Sequence, residues 1–275
     1  MHGYRAVVLF LVAALTAVAP LLSGSARAQS GTSLVIWPID PSIPSGHQAT
    51  ALWLENRGDR PLTLQVRVVG WTTVDFDEVF VGEQEAVIAS PPIAEVPAGQ
   101  KQLVRLVRVA PAPVGREQAF RVIVDELPRP DRPQTPATQV AIGVSLRLRY
   151  SLPLFVYGQG LVARREPAAD GPTTVRSAMP DLHWRLVADD AATWLHVRNT
   201  GSGHARLSRV RVRAVGADAA LSAGLLGYVL PDAERRWRLP EGFVGQNALL
   251  VDADVNGRDV TSVPVALMSP IAERQ

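Results

Sequence analysis

The segment QVAIGVSLRLRYSLPLFV, residues 139–156, carries an apolar side chain at every second position along its length. The apolar positions share one parity: Val140, Ile142, Val144, Leu146, Leu148, Tyr150, Leu152, Leu154 and Val156. Period-two alternation predicts a strand with one buried face. At roughly 3.3 Å per residue this ribbon would extend about 55–60 Å, whereas a typical strand has about five or six residues. A single β-sandwich can hardly cover so long an apolar face.

The chain begins with the features of a secretory signal peptide. Arg5 precedes an apolar run over 6–22, and Ala26-Arg27-Ala28 then provides a small-x-small cleavage site. A retained membrane anchor is the alternative, but the short apolar core and the cleavage site favour removal of residues 1–28. We therefore expect an exported protein that begins near Gln29 and is not embedded in a membrane, because its later apolar runs are too short to span one.

Charge and cysteine content exclude several classes of function. The chain has 28 basic and 26 acidic residues, and Arg5 and Arg27 lie in the signal peptide, so the mature chain is neutral at 26 against 26. This balance gives no sign of nucleic-acid binding. The chain has no cysteine, so disulfides and thiol chemistry are excluded and the domains must be held together by their cores.

Nearly everything after residue 30 has the pattern of short strands separated by turns rich in proline and glycine. A spacing of roughly 8–12 residues between turns is typical of β-sandwiches. We predict an N-terminal domain over 29–157, a hinge over 158–180, which is rich in Gly, Pro and Ala, and a C-terminal sandwich over 181–275. The sequence thus indicates an all-β protein with two sandwich domains.

The sequence gives no sign of catalytic chemistry. His183, His196 and His204 could be imagined as a metal cluster, but they lack a helical HxxxH spacing and neighbouring carboxylates. GVSLR lacks the second glycine of a nucleophile elbow, and no phosphate-binding glycine motif is present. We therefore expect no enzyme activity, no cofactor and no metal site.

Three segments of the first domain, taken in order, resemble the periplasmic chaperones of the chaperone–usher pilus pathway. They are LWLENRGDRPLTLQVRVVGW (52–71), SPPIAEVPAGQKQLVRLVR (90–108) and FRVIVDELP (120–128). In the second domain, LHVRNTGSGHARLS and GYVLPDAERRWRLP are similar to the branch that serves spore-coat-U-type and other archaic pili. The resemblance implies two immunoglobulin-like sandwiches in a boomerang arrangement and a location in the periplasm.

The resemblance also implies a role for the long ribbon. Chaperones of this family lend an edge strand to pilin subunits, whose own sandwich lacks a strand, and deliver them to an outer-membrane usher. On this interpretation the residues inserted into the client are Val140, Ile142, Val144, Leu146 and Leu148. Without the resemblance, a long inner strand of the chain's own sandwich would be the favoured interpretation. Because an uncovered apolar edge invites self-pairing, we expect the free protein to cover it by self-association or with the proline-rich 128–139 segment.

A second element of the family is a basic pair in the cleft that binds the client's terminal carboxylate. The main branch uses an arginine in the first strand and a lysine late in the donor strand, but this chain has Trp37 and Pro38 in LVIWPID and no lysine in the ribbon. The best substitutes are Arg105 and Arg149, with Arg147 in reserve. Glu126 matches a family position in an interdomain charge cluster, although its usual basic partner is not evident.

Two other functions remain open on the sequence alone. One is a secreted carbohydrate-binding or adhesive β-sandwich that uses exposed aromatic residues such as Trp71, Trp184, Trp194 and Trp237. The other is a structural pilus subunit. A subunit should carry an alternating donor segment at its mature N-terminus, whereas QSGTSLVIWPID is short and interrupted by Pro38.

Overall fold

The computed structural model describes residues 34–128, 148–163, 176–189 and 192–267, which are built almost entirely from β-strands. The strands of the first half are β1 (Leu34–Trp37), β2 (Ser42–Ile43), β3 (Ala49–Asn56), β4 (Leu62–Val74), β5 (Asp77–Val81), β6 (Val87–Ser90), β7 (Ile93–Val96), β8 (Lys101–Arg108), β9 (Glu117–Glu126) and β10 (Arg149–Tyr157). Two short strands follow, β11 (Leu161–Val162) and β12 (Arg176–Ser177). The second half contains β13 (Leu182–Ala188), β14 (Thr193–Asn199), β15 (Ala205–Ala214), β16 (Ala217–Ala220), β17 (Leu225–Val229), β18 (Glu234–Arg238), β19 (Ala248–Val255) and β20 (Arg258–Ala266).

Strands β1 to β10 form a two-sheet sandwich. One sheet has the strand order β1-β3-β8-β6, and the other has the order β2-β10-β9-β4-β5, with β7 paired to β4. Alternate residues face the space between the sheets, as Leu52 and Leu54 do in β3 and Val122 and Val124 do in β9. This geometry accounts for the period-two hydrophobicity of the sequence.

Strands β13 to β20 form a second sandwich. Its sheets are β13-β14-β18 and β16-β15-β19-β20, with β17 paired to β15. Leu195 and Val197 of the first sheet pack against residues such as Val212 and Val251 of the second. The predicted all-β fold with two immunoglobulin-like sandwiches is confirmed.

The same asparagine turn follows β3 in the first sandwich and β14 in the second. The Asn56 side chain makes three hydrogen bonds, including one from its amide to the carbonyl oxygen of Val96. The Asn199 side chain makes four, and its amide donates to the carbonyl oxygens of Gly203 and Val229. Both asparagines are fully buried, so each side chain satisfies backbone groups that would otherwise be unpaired in the interior.

The two sandwiches pack together through aromatic side chains. Trp71 of β4 and Phe155 and Tyr157 of β10 are buried with Tyr228 and Leu230 of the second sandwich. The ring of Trp71 meets that of Tyr228 edge-on, with 5.1 Å between centroids. The three first-domain residues have the outward parity of their strands, so the second sandwich covers a face that the first leaves open.

The predicted hinge, 158–180, contains the parallel pair β11 and β12, in which Leu161 lies opposite Arg176. The strands of the first sandwich end before it at Tyr157, and those of the second begin after it at Leu182. The boundaries of the two domains and of the signal peptide otherwise remain predictions, because residues 1–33 lie outside the described residues.

The long ribbon divides into two parts. Its C-terminal part forms β10, whose even-numbered residues Leu152, Leu154 and Val156 lie in the core of the first sandwich. This part therefore packs internally. The predicted donor residues Val140, Ile142, Val144 and Leu146 lie outside the described residues.

Residues 62–81 form a single β-hairpin. Strand β4 continues to Val74, strand β5 begins at Asp77, and Asp75 and Phe76 form the turn. Both turn residues have positive φ, 49° for Asp75 and 71° for Phe76. A two-residue turn with positive φ usually contains glycine or asparagine, so the sequence carried no signal for it.

Candidate functional site

One edge of strand β10 is largely unpaired. On one side, β10 pairs with β9 along its whole length, from Arg149 to Tyr157. On the other side, its pairing within the described part of the chain is limited to Phe155 and Val156, which lie opposite the two residues of β2. Among the described residues, the edge from Arg149 to Leu154 therefore has no strand partner, and it continues in sequence into the predicted donor segment.

Leu148 is the predicted donor residue that the structure describes. Its side chain is half-buried, and its carbonyl oxygen accepts a hydrogen bond from the Glu126 backbone N–H at 3.3 Å. Through Leu148 the described part of the ribbon is hydrogen-bonded to the end of β9.

The structure does not bring the predicted anchor residues Arg105 and Arg149 together. Arg105 is exposed on β8, on the outer face of the four-stranded sheet, because its neighbours Val104 and Leu106 face the core. Arg149 points outward from the opposite sheet and forms an ion pair with Asp125. Since the two side chains leave opposite faces of the sandwich, one carboxylate cannot contact both. The reserve residue, Arg147, lies outside the described residues.

Asp125 holds Arg149 together with Arg67, which donates to its other oxygen at 2.7 Å. Burial acts to raise the pKa of Asp125, but the hydrogen bonds from the two arginines outweigh it, and the pKa lies below its usual value. This carboxylate is consequently charged at neutral pH, and Arg149 is already engaged in an ion pair with it.

Glu126 does not lie between the domains, contrary to the prediction. It stands at the end of β9 that lies opposite Leu64, nine residues from the end that meets the second sandwich. Glu117, at that other end, is the interdomain carboxylate. Its oxygens accept from the backbone N–H of His204 at 3.1 Å and from the His204 ring Nδ1 at 3.0 Å.

A basic pair does lie between the two sandwiches, but it consists of Arg121 and Arg235. Arg121 is an outward residue of β9 in the first sandwich, and Arg235 comes from β18 in the second. Both contact one oxygen of Glu78 on β5, at 3.6 Å and 3.2 Å respectively. The Arg121 and Arg235 side chains are 12% and 14% exposed, so most of each is removed from water.

The surroundings of this pair favour binding of another anion. Two guanidinium groups share one carboxylate, which leaves a net charge of +1. The Nε atoms of Arg121 and Arg235 are buried and have no hydrogen-bond partner among the described residues. Burial lowers the pKa of Arg121, against the opposing effect of Glu78. A second carboxylate beside Arg121 would favour its charged form and so oppose the lowering of its pKa by burial.

Aromatic residues hold Arg121 in place. Its guanidinium lies 3.8 Å from the ring centroid of Trp71 and 5.3 Å from that of Tyr228. Trp71 also lines a cleft of about 480 Å³ between the sandwiches, together with residues 230–233 of the second domain. The two sandwiches therefore build this basic site jointly.

Sequence reasoning missed both arginines of the pair for different reasons. Arg121 stands alone in the apolar strand FRVIVDELP at an outward position, which was a usable signal for an exposed or functional site. Arg235 lies in ERRWR among three arginines. Its position opposite Arg121 depends on how the two domains pack, which local sequence does not encode.

The tryptophans proposed for carbohydrate binding are engaged in contacts within the protein. Trp71 is buried between the domains, and Trp184 and Trp237 pack against the core of the second sandwich. Trp194 donates its Nε1–H to Asp189 at 2.9 Å. The structure therefore does not favour the carbohydrate-binding alternative.

The histidines considered as a metal cluster have separate partners, and within the described ranges no three metal-ligating side chains come together. His183 interacts with Thr200, His196 with Glu234 and His204 with Glu117.

Across the described ranges, no helix has the length and apolarity needed to cross a membrane.

Comparisons with known proteins agree with the architecture. Residues 41–161 match the family model for the pili and flagellar-assembly chaperone, PapD N-terminal domain. A comparison with curated protein sequences gave no match.

Solved structures match over both domains. A chain of the CsuC–CsuE chaperone–tip adhesion subunit pre-assembly complex, from the archaic chaperone–usher Csu pili of Acinetobacter baumannii, is 28% identical, with a TM-score of 0.66 over 86% of this chain and 100% of that chain. The YadV chaperone matches with 19% identity and a TM-score of 0.57, over 85% of this chain and 99% of that chain. The Salmonella enterica SafA pilin–SafB chaperone complex matches with 18% identity and a TM-score of 0.53, over 88% and 99%.

Proposed function

Because this chain belongs to the family of pilus-assembly chaperones of the chaperone–usher pathway, we propose that it works in the periplasm. There it binds pilin subunits by lending them the N-terminal part of its ribbon, and it delivers them to an outer-membrane usher. The comparison with the CsuC–CsuE complex supports the archaic branch of the pathway.

The observation that carries the proposal is the open edge of β10. The edge from Arg149 to Leu154 has no strand partner among the described residues, and the apolar parity of the sequence continues from it back to Val140. A pilin that lacks a strand would pair its backbone with this edge, and alternate side chains from Val140 to Leu148 would fill its groove. A single continuous strand thus serves both the chaperone's core and the client.

The donor role of the ribbon can be tested by placing the same charge on one face of the strand or on the other. Leu146→Asp should abolish recovery of a co-expressed pilin, because a carboxylate would have to enter an apolar groove without a partner. Ser145→Asp is the matched control, since it places the same charge on the other face. Pilin recovered per chaperone is the readout, with folding checked by thermal melting. Equal recovery with the two variants would exclude the donor role.

We infer that the client's terminal carboxylate binds between Arg121 and Arg235. The inference rests on their shared net charge, their unpaired Nε groups and their position on the outer face of the sheet that contains β10. Arg121 lies directly opposite Pro153 of β10. A carboxylate held there would fix the register of a strand added along the open edge.

The anchor is tested by comparing four alanine variants. Arg121→Ala and Arg235→Ala should each weaken pilin binding by about 2–5 kcal/mol, the usual cost of removing one partner of a buried charge pair. Arg105→Ala and Arg149→Ala serve as controls, because these two residues were predicted from sequence and lie away from the cleft. If only the Arg105→Ala and Arg149→Ala variants bound pilin more weakly, the prediction from sequence would be supported and the site between Arg121 and Arg235 would be refuted.

Self-association of the free protein follows from the same edge. We expect the chaperone to form a dimer or higher oligomer without pilin and to separate when pilin binds, because the client covers the apolar strand. Light scattering coupled to size-exclusion chromatography measures both states. A free protein that stays monomeric at high concentration would argue against self-association through the ribbon.

A further inference from the structure

The three-stranded sheet of the second sandwich has a strongly basic outer face. Arg185 of β13, His196 of β14 and Arg236 of β18 lie in one row of opposing residues. Two residues along the strands, Arg198 lies between His183 and Glu234. The alternate residues Leu186, Leu195 and Val197 face the core, which places these two rows on the outside. His196 is buried against the Phe76 ring, so the charged residues of this surface are Arg185, Arg198 and Arg236, which we call the arginine face.

The charge of the arginine face is not balanced within the described part of the chain. Glu234 is its carboxylate, and this residue is already engaged by Arg185 and by the Nδ1 atom of His196. Arg198 and Arg236 have no ion pair among the described residues. Two guanidinium groups are therefore left without a counter-charge.

The opposite sheet of the same domain provides a contrast. Three arginines of β15 each bind a carboxylate: Arg209 binds Asp254 and Asp259, Arg211 binds Asp218, and Arg213 binds Asp252. Three of the four arginines of β15 are thus neutralised and the fourth, Arg206, contacts Ser208, whereas Arg198 and Arg236 of the other sheet have no ion pair among the described residues. An abundance of arginine alone does not explain that asymmetry.

Arg236 is held in a fixed orientation by residues of both domains. Its guanidinium carbon lies 4.6 Å from the ring centroid of Trp194 and 4.6 Å from that of Phe76. Phe76 belongs to the β4–β5 turn of the first domain and has a φ of 71°, a strained value for a bulky side chain. Stacking between two rings leaves the N–H groups at the edge of the guanidinium free to bind an anion.

From these features we propose that the arginine face binds an extended acidic segment of a partner protein, with carboxylates two residues apart. Arg236 lies opposite His196, and Arg198 is two residues farther along β14, so Arg236 and Arg198 are diagonal neighbours at about 7–8 Å. Alternate side chains of an extended chain are spaced by about 6.6 Å. Two carboxylates in an Asp/Glu-x-Asp/Glu segment would therefore meet the two guanidinium groups.

A protein segment fits this face better than an anionic membrane does. The apolar groups at this face, the rings of Trp194 and Phe76, are stacked on Arg236, and the exposed apolar residues of the domain, such as Val215, Val244 and Leu225, lie outside the three-stranded sheet. The sequence apart from its first 28 residues is also neutral, and each basic residue near an anionic membrane contributes only about 1 kcal/mol.

The proposal is tested with the full-length exported protein and synthetic peptides. The probe is a ten-residue peptide with two glutamates two positions apart, and calorimetry at low salt measures its binding. A peptide with the same glutamates at adjacent positions should bind more weakly, and one with glutamines in their place should not bind. Arg236→Ala and Arg198→Ala should each weaken binding about tenfold, the effect of losing one charge-assisted hydrogen bond.

Arg211→Ala is the matched control, because it removes an exposed arginine from the neutralised sheet of the same domain. Its peptide affinity should equal that of the wild type, and melting curves verify that all variants fold. Equal affinity for the glutamate and glutamine peptides would overturn the proposal. So would binding to phosphatidylglycerol vesicles without binding to the peptides. Pilin capture is not needed for this measurement, so the result is independent of the donor strand and its anchor.

Discussion

The buried pair between Glu117 and His204 should control how firmly the two domains are joined. The Glu117 side chain is 1% exposed, and it accepts hydrogen bonds from both the backbone N–H and the ring Nδ1 of His204. The imidazole also stacks on Phe155, with 3.5 Å between ring centroids. Glu117→Ala would remove the acceptor and leave two donors unpaired inside the interface.

The size of the effect follows from these two donors. Each buried donor without a partner costs about 1–3 kcal/mol, so Glu117→Ala should lower the free energy of unfolding by about 2–5 kcal/mol. The interface also contains an exposed ion pair, Arg116 with Asp232, whose side chains are 63% and 60% exposed. Asp232→Asn removes an interdomain charge too, but it should cost less than about 1 kcal/mol because the pair is solvated and asparagine tolerates the φ of 60° at this position.

Urea unfolding monitored by tryptophan fluorescence gives both stabilities, and small-angle X-ray scattering reports whether the domains keep their relative orientation. Glu117→Ala should also reduce pilin capture, because Arg121 and Arg235 belong to different domains and their spacing depends on this interface. Equal losses of stability for Glu117→Ala and Asp232→Asn would refute the reasoning. Normal pilin capture by a Glu117→Ala protein with displaced domains would refute the two-domain anchor.

Two further predictions concern the second sandwich. Asn199→Ala should lower the free energy of unfolding by about 2–5 kcal/mol, because the buried carbonyls of Gly203 and Val229 lose their donor; a loss below about 1 kcal/mol in urea unfolding would contradict this. Burial lowers the pKa of His196 despite its contact with Glu234. As the pH falls through the unfolded-state value of about 6.5, only the unfolded chain gains this proton, so stability decreases. His196→Gln should therefore show a smaller loss of melting temperature between about pH 7.5 and 5.5 than the wild type; an unchanged pH dependence would exclude the role of His196.

The strands and the fold class were predictable because one face of each strand is buried. The alternation that marks β3, β4 and β9 is a direct consequence of their inner residues facing the core. Strand β7 was missed because the prolines of SPPIAEVPAGQ suggest a loop, although Ile93–Val96 pairs with β4. The hairpin turn at Asp75 and Phe76 was missed because neither residue is typical of positive φ.

The site was less predictable, because its residues are combined by packing between sheets and domains. Arg105 and Arg149 looked equivalent in sequence, yet they leave opposite faces of one sandwich. Glu117 and Glu126 are both carboxylates of β9, but they stand at opposite ends and, nine residues apart, on opposite faces of the strand, and Glu117 meets His204. Parity predicts which face of a strand a residue occupies, but not which domain covers that face.

The outward aromatic residues of the first domain nevertheless carried information about the second. Large apolar side chains at Trp71, Phe155 and Tyr157 have the parity that should face solvent, so their presence implies a second covering surface. The two parts of the ribbon are therefore covered by different surfaces. The core of the first sandwich and the second domain cover β10. On our proposal, the pilin covers the residues that precede β10. The client strand would end where the two domains meet and where the cleft arginines lie. On this proposal the chaperone needs both domains to bind its client, although the strand comes from one, because the second domain supplies Arg235 beside Arg121.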